Sequence, residues 1–133
     1  MRLLYKVPTP IEVTIYALIE PGTETSPDPY VRYVGQTTGA VETRLSRHIA
    51  DAKAGRMGNE ALRDWILKCL RRKARPVAVA LERCSCFSAD RAEQHHLSRL
   101  RRLYPDLLNL RGNPDRSQAR PFTPAYLKRV GAD

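Results

Sequence analysis

Glu93 stands where an apolar side chain belongs. At about 100° per residue, Ala92, Glu93, His96, Leu97, Leu100, Leu103 and Tyr104 fall on one helix face. An unpartnered carboxylate on such a face is costly. It needs a basic side chain, in an ordinary salt bridge, or a metal ion. Arg91, Gln94, His95, Ser98, Arg101 and Arg102 take the opposite, polar face. A second intrusion lies earlier in the chain: Arg44 and His48 are four residues apart, beside a stripe of Val41, Leu45 and Ile49. Each has a plain structural reading, as a satisfied core histidine and as a cation whose stem covers apolar area. Together they could bring a cation and an imidazole to one cleft. Tyr16 and Tyr33 add two phenols from neighbouring strands, where tyrosines normally serve packing. Cys84, Cys86, His95 and His96 offer soft ligands, but C-x-C and H-H are poor zinc spacings. Gly35 and Gly39 flank Gln36-Thr37-Thr38 and could let a ligand approach the backbone, without Walker or Rossmann spacing.

These residues need elements to position them. Residues 11–20 and 30–38 are rich in β-branched and aromatic types and predict two antiparallel strands, joined by the loop PGTETSPDP at 21–29. From Gly39 the period becomes helical and should stop near Gly55. Asn59 suits the N-cap of a second helix burying Leu62, Trp65, Ile66, Cys69 and Leu70, with Arg71, Arg72, Lys73 and Arg75 at its end. Residues 76–84 read as a third strand, and Ser88 as the cap of a third helix running to about Tyr104. The order β-β-α-α-β-α predicts a small α/β (α+β) domain with a three-stranded sheet flanked by helices. It should span residues 11–112. Residues 113–133 form a basic C-terminal tail, in which FTPAYLKRV either docks as a short helix or stays mobile.

The chain has 133 residues and a formal net charge of +9. Residues 1–62 carry 7 Lys+Arg and 7 Asp+Glu, whereas residues 63–133 carry 16 and 7, so the second half holds the whole excess. Most of it is arginine, whose planar fork suits phosphate, and a polyanion is the first partner to expect. No stretch reaches the ~20 apolar residues of a membrane span. Lys6, Pro8 and Pro10 interrupt any signal-peptide core, and three cysteines without framework spacing fit a reducing cytosol. A cytoplasmic location with no membrane partner is expected.

Five elements in order carry a resemblance to a known family. Thr14-Ile15-Tyr16, Tyr33-Val34-Gly35 with Gln36-Thr37, Arg44-x-x-x-His48, Glu93 and Leu108-Asn109 resemble the GIY-YIG nucleases in order and approximate spacing, over about residues 11–110. Thr14 replaces the first glycine of the signature, and the 21–29 loop is longer than usual for the family. Gln36 stands where some members carry lysine. The resemblance implies an α/β/α domain around a three-stranded antiparallel sheet, hydrolysing phosphodiester bonds in DNA with one Mg²⁺ or Mn²⁺ ion. It implies Glu93 as metal ligand and Tyr16 as the group that deprotonates or orients water, its pKa lowered by the metal, Arg44 and His48. Tyr33 would position water or phosphate, Arg44 would clamp phosphate, and His48 would donate to phosphate or relay a proton. Gly35 would keep the strand edge open and Asn109 would support the site. Arg71, Arg72, Lys73, Arg101 and Arg102 are the expected generic grip on nucleic acid. A non-catalytic nucleic-acid-binding module, or a nuclease directed at RNA or acting as a toxin, are the alternative readings. With no reader module in the chain, specificity is expected to come from DNA structure or from a protein partner.

Overall fold

β-Branched and aromatic side chains crowd Glu12–Ile19, which forms the central strand β1 of a three-stranded antiparallel sheet. The computed structural model describes residues 10–110, so the predicted tail at 113–133 lies outside the described residues. β2 (Val31–Thr37) and β3 (Val77–Ser85) flank β1, giving the order β2-β1-β3. Helices α1 (Val41–Ala54) and α2 (Glu60–Arg71) pack on one face and α3 (Ala89–Leu103) on the other. The molecule is α+β, with the helix and strand order read from the sequence.

Because β1 is covered on both faces, its two parities build separate cores. Val13, Ile15, Ala17 and Ile19 join Leu97 and Leu100 of α3. Tyr16 and Leu18 join Leu45 and Ile49 of α1 and Leu62, Trp65 and Ile66 of α2. Each edge strand carries one irregularity in register. In β2, Leu18 pairs with Tyr33 and Ile19 with Val31, so Arg32 is the extra residue. This lets Val31 and Val34, of opposite parity, both face α3. In β3, Ile15 pairs with Glu82 and Tyr16 with Ala80, leaving Leu81 extra.

The helix ends follow local chemistry, with two departures from expectation. Gly55 ends α1 at φ 73°, and Asn59 caps α2 by accepting the Leu62 amide at 3.0 Å. At the end of α2, Lys73 takes the left-handed position at φ 60°, with Lys73 N–H bonded to Leu70 O and Ala74 N–H to Cys69 O. A side chain there costs about 1 kcal/mol relative to glycine. Ser88 holds the N-cap position of α3, its carbonyl accepting from Ala92 N–H at 2.9 Å, but its side chain caps nothing: the hydroxyl donates back to Ser85 O at 3.3 Å. Leu103, expected on the buried face, is 65% exposed, because α3 stops there and the chain turns away at Tyr104. Among the described residues, no helix is long and apolar enough to cross a membrane.

Candidate active site

Tyr16 rises from the centre of β1 on the α1/α2 side, directly across from Gly35 of β2. Its phenol lies over Gly35, where an added Cβ would sit 2.6 Å from Tyr16 Oη. The glycine is thus a requirement of close approach. Tyr16 is 1% exposed, and its hydroxyl meets His48 Nε2 at 2.7 Å. Tyr33, two residues before Gly35, sets its ring 6.4 Å from that of Tyr16 and edge-on to His48 at 5.6 Å. Arg44 lies one turn before His48 on α1, and the three side chains Tyr33, Arg44 and His48 line one open cleft. The structure therefore brings together the four residues expected from β1, β2 and α1.

The electrostatics of the pair run opposite to expectation. Burial pushes the Tyr16 pKa up to about 12; the Arg44 guanidinium pulls the other way, and the Glu93 charge adds to the rise. Burial, then the Arg44 charge, push His48 down to about 4, against a smaller upward pull from Asp51. His48 is therefore neutral at pH 7 and supplies no positive charge to the phenol. With Tyr16 protonated and His48 neutral, the Nδ1–H tautomer has the phenol donating to Nε2, and the Nε2–H tautomer has the imidazole donating to the phenol oxygen. In the first of these the phenol points its proton at a base.

Both shifts act on stability, at opposite ends of the pH scale. The folded pKa of His48 lies below its ordinary 6.5, so its stability contribution is complete above pH 6.5 and lost as pH falls towards 4. That of Tyr16 lies above its ordinary 10, so its contribution is complete below pH 10 and lost as pH rises towards 12. The acid-side loss from His48 should reach about 3 kcal/mol. Urea midpoints of wild type and His48→Gln at pH 7 and pH 4.5 check this: the variant should lose clearly less on acidification. An equal loss in both would assign the acid sensitivity to other groups.

Glu93 stands on α3, on the other face of the sheet from Tyr16, and meets β2 at Gln36, the residue after Gly35. It is 3% exposed, and its Oε1 accepts from Gln36 Nε2 at 2.6 Å. The same amide reaches Asp90 Oδ1 at 2.9 Å. A partner that the sequence left open between a basic residue and a metal thus includes a neutral amide. Asp90 was not singled out from the sequence, although its i, i+3 spacing to Glu93 places both carboxylates on one side of α3. The two carboxylates are hard oxygen donors of the kind that suits Mg²⁺ with water and phosphate completing the shell, and Gln36 turns its amide nitrogen towards them. Among the described residues, no group of three or more His, Cys, Asp or Glu is gathered for a metal. Cys84, Cys86, His95 and His96 form no such site, and His96 Nε2 instead meets Glu82 Oε1 at 2.7 Å.

Asn109 supports the geometry from outside β2. Its Oδ1 accepts from Val34 N–H at 2.9 Å and its Nδ2 donates to Val34 O at 2.8 Å, completing the strand edge as a neighbouring strand would. Arg101, expected on the exposed nucleic-acid face, is 8% exposed and belongs to this support. Its Nη2 donates to Asn109 O at 2.9 Å and Leu110 O at 3.3 Å. Arg101 lies one turn beyond Leu97 and is buried on the core side of α3.

The other basic candidates are exposed and stand away from the cleft. Arg71, Arg72, Lys73 and Arg102 are all exposed, and Arg72 pairs with Glu20 at 2.8 Å. Asn59, at the start of α2, lines the cleft, so the tract at its far end stands about 18 Å along the helix. Next to the tract, Arg75 reaches Ser46 and Glu42 on the other flank of α1 from Arg44. In comparison with known proteins, no family model, no curated protein and no solved structure matches the chain.

Proposed function

We propose that the chain is a divalent-metal-dependent endonuclease of the GIY-YIG type, hydrolysing phosphodiester bonds in DNA. The observation that carries this reading is the Tyr16–His48 pair, with Arg44 beside it and the buried Glu93 close enough to act on the same phenol. His48 takes the phenolic proton as Tyr16 Oη takes one from the attacking water, a relay that needs no free tyrosinate at neutral pH. Arg44 donates to phosphoryl oxygens as charge gathers on them, and Tyr33 orients the phosphate or the water. Asn109 holds the β2 backbone beneath the phenol and acts as a positioning residue. Glu93, with Asp90, would hold one Mg²⁺ or Mn²⁺ ion, which when bound polarises the phosphate and stabilises the leaving oxygen. Arg71, Arg72, Lys73 and Arg102 would hold the flanking backbone through salt-sensitive contacts.

Supercoiled plasmid incubated with and without Mg²⁺ tests the reading. Wild type should nick only with Mg²⁺, and Glu93→Ala should nick about 10³-fold more slowly while binding DNA within a few-fold of wild type. Equal nicking by wild type and Glu93→Ala would end this mechanism. DNA binding with no nicking by either would favour the non-catalytic binding module, and cleavage of RNA alone would change the substrate class.

A further inference from the structure

An open cleft of about 370 Å³ runs from Arg44 and His48 along α1 to the α1–α2 connection. Its two ends differ in chemistry. Tyr33, Arg44 and His48 make the first end, a cation with two hydrogen-bonding rings. Met57, Leu62 and Leu110 wall the second, with the Asp51 carboxylate there as well. Asp51 pairs with Arg56 at 3.2 Å, so that opposite charges stand side by side at this end. A ligand matching both ends is anionic at one and neutral, flat and largely apolar at the other. Its neutral end can also offer an amino group to Asp51.

We propose that this cleft binds the nucleoside adjoining the phosphate held by Arg44, with its base unstacked against Met57. The inference rests on the nuclease reading for the identity of the phosphate, and it narrows the substrate class. A base in a duplex is paired and stacked, and taking it out costs a few kcal/mol, least where it is already unpaired. The favoured substrate therefore carries an unpaired nucleotide at the cut, as in a loop, a gap or a strand end. Pockets of a few hundred Å³ with mixed walls are of the size that holds such small ligands.

Metal-free amide NMR titrations with deoxycytidine 3′,5′-bisphosphate, whose base carries an amino group, and with inorganic phosphate test the cleft without any turnover. The bisphosphate should bind about tenfold tighter than phosphate or better, the worth of one base contact, and should shift the amides of Met57 and Gly58. Met57→Trp, which fills the cleft, should abolish that advantage and leave phosphate binding unchanged. Leu110→Ala, at an exposed position that cannot unfold the core, should diminish the advantage by removing part of the apolar wall and leave phosphate binding unchanged. Equal affinity for the two probes in wild type, or an undiminished advantage in both variants, would overturn the proposal. Nucleotide binding in a protein that never nicks would sink the nuclease reading and keep the cleft; nicking without nucleotide preference would do the reverse.

Discussion

Gly35→Ala is expected to cost the fold about 1–3 kcal/mol and to slow nicking at least about 10²-fold. The added methyl would stand 2.6 Å from Tyr16 Oη, 2.8 Å from Tyr16 Cζ and 3.0 Å from Tyr33 Cε2. The phenol has little room to yield, since it is 1% exposed and bonded to His48. Either the ring swings off the imidazole or β2 moves away from β1, and both would break the proposed relay. Tyr16→Phe removes the atom nearest the methyl, so the double variant should lose less stability than the two single losses added together. Gly39→Ala is the control: nothing lies within 4 Å of its Cβ, and both stability and rate should stay near wild type. Urea unfolding and plasmid nicking read these effects. A Gly35→Ala protein of wild-type stability and rate would show that the close approach of Tyr16 is dispensable.

Arg101→Leu should destabilise the protein by about 2–4 kcal/mol, a large effect for one of many arginines in a basic chain. The substitution strips a donor from the buried Asn109 carbonyl and another from the carbonyl of the more exposed Leu110. Nicking should fall in parallel, because Asn109 then loses its hold on Val34, one residue from Gly35. Arg102→Ala, at the exposed neighbouring position, should change stability by less than about 0.5 kcal/mol and weaken DNA binding at low salt. Thermal or urea melts with DNA titrations at two salt concentrations separate the pair. If Arg101→Leu kept full stability and lost only affinity, Arg101 would return to the nucleic-acid surface.

The contrast between those two arginines shows what the sequence can carry. Strands, helices and their order were legible, because period 2 and period 3.6 are local signals and Gly55 and Asn59 mark helix ends by their own chemistry. Glu93 and His48 were legible as anomalies, polar groups set in or beside apolar stripes. Arg101 was not, because its reason is a pair of carbonyls eight and nine residues away that turn back onto α3. The direction of the Tyr16 shift was also out of reach. It depends on burial outweighing Arg44, and two residues' types say nothing of how much water reaches them. Neither register irregularity leaves a glycine or proline to mark it, so Arg32 and Leu81 read as ordinary strand residues.

The Asn109 clasp on Val34 has a consequence for the time at which the site exists. The two partners are 75 residues apart in the chain. The β1–β2 hairpin holding Tyr16, Tyr33 and Gly35 is local and can form early during synthesis, whereas contacts this distant in sequence form late. β3 must also cross to the far side of β1 before the sheet is whole. A growing or broken chain lacking residues 101–109 therefore holds both phenols but not the clasp that fixes the strand beneath them. Under the proposed nuclease activity, such an order of assembly would leave incomplete copies without a finished site.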